Sequence, residues 1–174
     1  LITLSGGEET DHGDTINGGA GNDTFTFDTD DLTKTDVIDG GAGTDKLAVT
    51  GNTDTIADID FTGVSNVEVI ENVAGDAMTV TLDSLAAAAG INKVSLTADS
   101  SSSTINITSG FSTSTLTVDF AGADGTDANS TINATVTSTT AYSGVLAITA
   151  AGSELDSTAA TITGGSGTSD TITI

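Results

Sequence analysis

The stretch that decides the fold is DTINGGAGNDTF, residues 14–25, which returns 22 residues further on as DVIDGGAGTDKL, residues 36–47. Seven of the twelve aligned positions are identical, including both aspartates, the isoleucine and all three glycines. Each copy spaces its two aspartates nine residues apart, with an apolar residue two places after each one. Self-similarity at a fixed spacing predicts stacked turns of one structural unit.

The nine-residue unit has a local structure that follows from its residue types. The run Gly-Gly-x-Gly turns the backbone tightly, because glycine adopts positive φ angles without a steric penalty. The run x-Asp-x-apolar-x that follows is typical of a short strand with one inward side chain. Two units therefore predict one flattened turn of about 18 residues with glycine-rich loops at both ends. The repeat offset of 22 residues is longer than this turn. The extra residues fall within residues 28–35, which we expect to form a bulged loop.

Stacked turns place Asp14 near Asp36 and Asp23 near Asp45, which creates electrostatic repulsion. Like charges on neighbouring strands, about 4.8 Å apart, destabilise a sheet. A hard divalent cation offsets this repulsion, since Ca²⁺ binds about six to eight oxygens and a glycine-rich loop exposes carbonyl oxygens beside the carboxylates. The sequence therefore predicts Ca²⁺ between these turns.

Residues 18–26 (GGAGNDTFT) and 40–48 (GGAGTDKLA) both satisfy the nonapeptide Gly-Gly-x-Gly-x-Asp-x-apolar-x. In this pattern the chain resembles the repeat-in-toxin family of calcium-binding proteins. The resemblance implies a parallel β-roll in which Ca²⁺ is held between the loops of successive turns by aspartate carboxylates and loop carbonyls. Carried over by position, it implies carboxylate ligands from Asp23 and Asp45, with carbonyl ligands from Gly19, Gly21, Gly41 and Gly43.

Three further aspartates match the motif in part and are predicted as additional metal ligands. Asp14 and Asp36 keep the aspartate and apolar positions of their units, but other residues replace most of the glycines. Residues 164–172 (GGSGTSDTI) repeat the motif with one residue inserted, which displaces Asp170.

The charge of the chain narrows the possible functions. Its 174 residues carry 25 acidic side chains against 3 basic ones, a formal net charge of -22. Nucleic acids and anionic membranes are bound by clustered Lys and Arg, so both are excluded as partners. No apolar run is long enough to cross a bilayer, and the absence of cysteine excludes disulfides and thiolate metal sites.

Nothing in the sequence predicts catalysis. His12 is the single histidine, and the chain has no Gly-x-Ser-x-Gly elbow to hold a serine nucleophile. A sugar-cleaving carboxylate pair would need an accompanying aromatic cluster, and the chain has 5 Phe, 1 Tyr and no Trp. We therefore expect a protein that is not an enzyme.

From residue 61 the composition changes, because acids become sparse and short apolar segments alternate with Thr and Ser. Strands are predicted at residues 67–70, 78–82, 94–97, 105–108, 116–120, 132–136 and 145–148. One short helix is predicted over the alanine run, with Asp83 or Ser84 as its N-cap and Gly90 as its end. A β-solenoid suits these strands better than a sandwich, whose core usually needs more aromatic residues.

The predicted fold is all-β, a parallel β-roll or β-solenoid with short stacked strands; the alternative is a β-roll followed by a β-sandwich. We divide the chain into a calcium-binding β-roll at residues 1–60 and a Thr/Ala-rich, solenoid-like region at residues 61–174 that closes in the degenerate repeat. The phrase FTGVSNVEVI, residues 61–70, with the strands that follow, resembles the strand repeats of bacterial surface-layer proteins and large secreted adhesins that carry calcium repeats.

These resemblances imply a secreted protein at the bacterial cell surface whose folding depends on Ca²⁺. The first expectation is a structural protein, a subunit of a surface layer or extracellular filament built from copies of the same chain. One alternative is a stalk or binding segment of a large adhesin. Another is the non-catalytic calcium domain of a secreted enzyme or toxin. Because both ends of the chain consist of strand-like sequence, we also expect a segment of a longer protein.

Overall fold

A computed structural model of the protein describes residues 2–3, 13–28, 31–50, 54–73, 78–96, 103–119, 135–138, 142–149, 161–163 and 170–173. Within these ranges the chain forms sixteen short β-strands, one short α-helix, and a 3-10 helix at Asp58–Phe61. The all-β class predicted from the sequence is confirmed.

The first eight strands are β1 (Ile2–Thr3), β2 (Thr15–Asn17), β3 (Thr24–Phe27), β4 (Val37–Asp39), β5 (Lys46–Val49), β6 (Asp54–Ile56), β7 (Val64–Ser65) and β8 (Val69–Asn72). The others are β9 (Met78–Leu82), β10 (Lys93–Leu96), β11 (Thr104–Ile107), β12 (Thr115–Asp119), β13 (Thr135–Ser138), β14 (Val145–Thr149), β15 (Thr161–Thr163) and β16 (Thr171–Thr173). The 3-10 helix, Asp58–Phe61, precedes β7, and helix α1, Ser84–Ala89, follows β9.

The strands belong to three sheets, and consecutive strands of the chain always lie in different sheets. The eight-stranded sheet has the order β1-β3-β5-β8-β10-β12-β14-β16, the five-stranded sheet β15-β13-β11-β9-β6, and the three-stranded sheet β2-β4-β7. Every pairing between the described strands is parallel. An immunoglobulin-like sandwich, by contrast, is built from antiparallel pairs.

The core consists of inward side chains that align from strand to strand. In the eight-stranded sheet, one register position is filled by Phe25, Leu47, Ile70, Val94, Val118 and Ile148, all almost completely buried. Each side chain packs on its equivalent in the next strand, about 4.8 Å away. Mostly aliphatic residues therefore suffice for a continuous core, which explains how a chain with few aromatics folds.

Threonines align in the same way along the five-stranded sheet. Thr55, Thr79, Thr104, Thr135 and Thr161 share one register position across all five strands. Thr is favoured in strands by its branched side chain, and Thr–Thr cross-strand pairs contribute a few tenths of a kcal/mol to about 1 kcal/mol. The repeated strand positions of this sheet therefore account for part of the high threonine content of the chain.

Helix α1 begins and ends as the sequence predicts. Asp83 is the N-cap and accepts a hydrogen bond from the Ser84 main-chain N–H at 2.8 Å, and Gly90 ends the helix with φ 108°. A positive φ of this size favours glycine at the end of a helix. The N-terminus is also held by Asp58, whose carboxylate accepts from the main-chain N–H groups of Asp83, Leu85 and Ala86 at 2.9, 3.1 and 2.9 Å.

The strands predicted after residue 61 overlap β8 to β14 in chain order, with β9 matching at both ends. Residues 97, 120 and 132–134 of these predicted strands lie outside the described residues. The proposed division at residue 60 stays a prediction; the eight-stranded sheet includes strands from both sides of it, since β5 pairs with β8. No helix in the described ranges has the length and apolar character of a membrane span.

Candidate functional site

Two glycine-rich loops, residues 18–23 and 40–45, lie one above the other. Ala20 and Ala42 form a parallel bridge, in which Gly21 N donates to Ala42 O and Ala42 N donates to Gly19 O, both at 2.8 Å. The φ angles of Gly19 and Gly41 are 90° and 93°, and those of Gly21 and Gly43 are 116° and 154°. Side chains other than hydrogen strain this conformation, so the glycines of the nonapeptide are needed for the loop itself.

Asp23 and Asp45 lie immediately before strands β3 and β5 and are linked through the main chain. Asp45 Oδ1 accepts a hydrogen bond from Asp23 N at 2.6 Å, and Asp45 is completely buried. The other oxygen of each carboxylate, Asp23 Oδ2 and Asp45 Oδ2, is buried and has no hydrogen-bond partner. An ionised carboxylate only accepts hydrogen bonds, so each of these oxygens is a buried acceptor without a donor.

Each unpartnered oxygen lies in a small cradle beside a glycine. A Cβ atom on Gly18 would stand 2.8 Å from Asp23 Oδ2 and 2.6 Å from Gly40 O. A Cβ on Gly40 would stand 2.8 Å from Asp45 Oδ2 and would collide with Asn66 O. At both places a carboxylate oxygen and a carbonyl oxygen therefore lie close to the same glycine Cα. Carboxylate and carbonyl oxygens are the donors that Ca²⁺ binds.

The carbonyls predicted as ligands, those of Gly19, Gly21, Gly41 and Gly43, are not the ones that lie beside the two unpartnered oxygens, which are those of Gly40 and Asn66. Gly19 O accepts from Ala42 N, and because a carbonyl oxygen has two lone pairs it keeps one for a further partner. Gly21 O lies against the Cα of Gly43, and Gly41 takes the position of Gly19 in the second loop. The carbonyls of Gly40 and Asn66 are the ones that sequence reasoning missed.

Asp14 and Asp36 are brought together as predicted, but both oxygens of the Asp36 carboxylate have hydrogen-bond donors within the chain. Asp36 Oδ1 accepts from Asp14 N at 2.8 Å, and Oδ2 accepts from Thr33 N at 2.6 Å and from Thr33 Oγ1 at 3.2 Å. Asp36 is buried, whereas Asp14 is exposed. Asp36 thus closes the loop before β4, and it differs from Asp45 in having no unpartnered oxygen.

Asp170 takes the same register position as Asp23 and Asp45 at the far edge of the eight-stranded sheet. Its Oδ1 accepts from Leu146 N at 3.0 Å, as Asp45 Oδ1 accepts from Asp23 N. The alignment of Ala147 with Thr171 places Asp170 beside Leu146. The residue inserted in the degenerate repeat therefore does not move the aspartate out of register. Residues 164–169 of that repeat lie outside the described residues.

Asp39 is held by amide side chains of the turns on either side. Its Oδ2 accepts from Asn17 Nδ2 at 3.3 Å, and its Oδ1 accepts from Asn66 Nδ2 at 2.7 Å and from Gly41 N at 3.1 Å. Each oxygen of this carboxylate therefore has a hydrogen-bond donor within the chain.

Across the part of the chain that the structure describes, no three acidic or histidine side chains converge as a metal-binding group. Any cation at the loops would therefore be held by two carboxylates together with main-chain oxygens. His12 lies outside the described residues.

Comparisons with protein-family models, with curated proteins and with solved structures find no match. The likeness to the repeat-in-toxin nonapeptide accordingly depends on the residues of the two loops themselves.

Proposed function

We propose that this chain is a calcium-stabilised extracellular structural protein of the repeat-in-toxin kind, a β-roll or β-solenoid that serves as a subunit of a surface layer or filament. The observation that carries the proposal is the pair of buried carboxylate oxygens without a donor, Asp23 Oδ2 and Asp45 Oδ2.

These two oxygens carry a cost in free energy. A buried acceptor that has lost its water and found no donor costs about 1–3 kcal/mol, and more when it belongs to a charged group. A cation beside Asp23 Oδ2 removes the penalty at that oxygen and reduces the repulsion between the stacked charges of Asp23 and Asp45. Asp45 Oδ2 lies apart from it, at the contact of Gly40 with Asn66 O. Of the common divalent ions, Ca²⁺ accepts mixed carboxylate and carbonyl oxygens in irregular geometry, whereas Zn²⁺ prefers nitrogen and sulfur and Mg²⁺ keeps its water.

The residues that would hold the ion are the carboxylates of Asp23 and Asp45 and the carbonyl of Gly40, which lies in the cradle of Gly18. The resemblance adds the carbonyls of Gly19, Gly21, Gly41 and Gly43 as further ligands. Bound Ca²⁺ would supply positive charge and join two turns; it would perform no reaction.

Because the chain has a net charge of -22, its folded state is destabilised by self-repulsion, and binding of Ca²⁺ would switch it from loosely folded to folded. Extracellular calcium modules bind with dissociation constants of about 10⁻⁴ to 10⁻³ M. A site whose dissociation constant lies tenfold below the ambient concentration stabilises the fold by about 1.4 kcal/mol, a large share of a typical domain's stability when several sites act together. In calcium-poor cytosol the chain would remain loosely folded, which suits export before folding.

We prefer the structural role for two reasons. The strands are rich in threonine and poor in aromatic residues, and the sequence carries no signature for catalysis. A stalk or binding segment of a large adhesin is the second candidate, and the calcium domain of a secreted enzyme or toxin the third. Electron microscopy of purified protein in calcium separates the first two, since a lattice or fibre supports the first and isolated rods the second. A metal-binding helix or serine elbow elsewhere in the full reading frame would support the third.

The test of calcium binding is thermal unfolding, followed by circular dichroism, in millimolar Ca²⁺ and in EGTA. We expect Ca²⁺ to raise the Tm of the wild-type chain and Asp23→Asn or Asp45→Asn to reduce that rise, because each substitution removes a carboxylate charge but keeps an acceptor oxygen.

Asp36→Asn is the matched control, since Asp36 is buried in the same way but has donors for both oxygens. It should lower the Tm equally in Ca²⁺ and in EGTA, leaving the difference between them unchanged. A wild-type Tm that is the same in both buffers would contradict the proposal.

A further inference from the structure

We infer that Glu68 and the carbonyl of Asn66 form a second cation site with Asp45, on the opposite side of the 40–45 loop from Asp23. The inference rests on the proposed calcium binding and adds two residues that lie outside both nonapeptides.

Asp23, Asp45 and Glu68 occupy equivalent register positions just before three neighbouring strands, so their carboxylates follow one another across the sheet. Asp45 N donates to Glu68 Oε2 at 2.8 Å, just as Asp23 N donates to Asp45 Oδ1 at 2.6 Å. The alignment of Lys46 with Val69 places Asp45 and Glu68 at one register position. Glu68 therefore stands to Asp45 as Asp45 stands to Asp23.

The carbonyl oxygens repeat the same relation. Gly40 O lies against the Cα of Gly18, beside Asp23 Oδ2, and Asn66 O lies against the Cα of Gly40, beside Asp45 Oδ2. The two cradles are therefore equivalent, each with an aspartate oxygen and a carbonyl from the following turn. Only the source of the second carboxylate differs.

The turn that supplies Asn66 and Glu68 has no glycine-rich loop. Asn66 is followed by Val67 alone before Glu68, and Asn66 is the single non-glycine residue in the described ranges with a positive φ, 53°. Asn tolerates this conformation better than most residues, so one residue makes the turn that the glycines make in the preceding loops. This short turn places Glu68 at the same register position as Asp45, although residues 62–70 do not match the nonapeptide.

Asp45 Oδ2 points to a ligand because no hydrogen-bond donor among the described residues reaches it. Asp45 is fully buried, and this oxygen has no donor. Lys46, the next residue, instead pairs with Glu71, its Nζ lying 2.5 Å from Glu71 Oε2. Two carboxylates and a carbonyl, completed by water, form a donor set of the kind Ca²⁺ accepts.

If both sites exist, Asp45 belongs to both of them, and this predicts a pattern of ion counts. We expect equilibrium dialysis with Ca²⁺ on the full chain to show one bound ion fewer for Asp23→Asn, one fewer for Glu68→Gln and two fewer for Asp45→Asn. Glu68→Gln keeps an oxygen that accepts from Asp45 N, so the fold is retained while the charge is removed.

Glu71→Gln is the matched control, because the same substitution three residues away removes a charge that pairs with Lys46. It should leave the ion count unchanged. A Glu68→Gln chain that binds as many ions as the wild type, with the same affinity, overturns the inference and leaves the first site standing. A wild-type chain that binds no Ca²⁺ would instead refute the proposed function.

A second measurement avoids dependence on folding of the variants. Crystals of the wild-type chain grown with Tb³⁺ should show two anomalous peaks next to the 40–45 loop, one of them in contact with the Glu68 carboxylate. A single peak, between Asp23 and Asp45, contradicts the second site.

Discussion

Aspartates in this chain have two different roles, which depend on whether the second carboxylate oxygen has a donor. In Asp36 and Asp58 both oxygens accept from main-chain N–H groups, and these residues fix a loop and a helix end. In Asp23 and Asp45 one oxygen is left without a donor. Because a buried carboxylate strongly favours a compensating charge, we expect substitutions of Asp23 and Asp45 to change the response to calcium and substitutions of Asp36 and Asp58 to leave it unchanged.

Asp60 provides a test through pH. Its Oδ2 accepts from Ala57 N at 2.8 Å in the 3-10 helix. Burial raises the pKa of the Asp60 carboxyl above its usual range; the hydrogen bond from Ala57 lowers it, and the charge of Asp36 raises it further. The contribution of Asp60 to stability is therefore complete below the pKa of the unfolded chain, about 4, and is lost as the pH rises through the raised value.

We expect Asp60→Asn, which keeps the acceptor oxygen, to raise the Tm at pH 7 relative to the wild type. The gain should disappear near about pH 3, where the wild-type carboxyl is neutral in both the folded and the unfolded chain. Thermal melts of both proteins across this range measure the difference. A difference in Tm that does not change with pH would contradict the raised pKa.

At the level of elements, helix α1 is stabilised from the turn before it. Asp58 accepts from three N–H groups at the start of the helix and lies 25 residues away in sequence from the first of them, that of Asp83. The first turn of a helix leaves its N–H groups without intrahelical partners, and Asp58 supplies acceptors for them. The 3-10 helix and α1 are therefore joined by a carboxylate rather than by a sheet.

We expect Asp58→Ala to lower the free energy of unfolding by about 1–2 kcal/mol, as for loss of a helix cap, and to speed hydrogen exchange in α1. Urea unfolding and amide exchange measure the two effects. Thr55→Ala, at an exposed position on β6, is the control and should leave exchange in α1 unchanged. Equal exchange in Asp58→Ala and wild-type α1 would show that the cap is not needed.

The sequence predicts helices and strands whose ends are marked by neighbouring residues. It does not predict contacts that reach outside the repeat, between residues that lie 23 or 27 positions apart. Asp83 and Gly90 lie next to the helix that they delimit, and apolar alternation indicates β9 at its observed ends. The interaction of Asp58 with α1 and the register of Glu68 with Asp45 depend on how turns stack, which no short window contains. The same limit explains why the motif alone predicts a displaced Asp170, whereas the pairing of β14 with β16 keeps this residue in register.

At the level of the whole molecule, acidic charge is largely uncompensated. Two of the three lysines form ion pairs on the eight-stranded sheet, Lys46 with Glu71 and Lys93 with Asp119 at 2.5 and 2.6 Å. Such partly exposed pairs contribute at most about 1 kcal/mol each. We therefore expect ions in solution to stabilise the fold by screening and, if the proposed calcium site exists, by binding at the loops.

A comparison of salts distinguishes screening from binding. At equal ionic strength we expect CaCl₂ to raise the Tm well above MgCl₂, and MgCl₂ to exceed NaCl only slightly, because screening depends on ionic strength and charge while the loop site requires an ion that sheds its water. Equal Tm values in CaCl₂ and MgCl₂ would indicate screening alone.

The pairing of each strand with only its neighbours one turn before and after has a consequence for how the chain becomes ordered. No described strand needs a partner from a distant part of the sequence, since β3 pairs with β1 and β5, and β14 with β12 and β16. If the chain is exported as proposed, a polypeptide that emerges gradually from a secretion channel would add each strand to the strand already formed. Its emergence into a calcium-rich medium would then set the direction in which it folds.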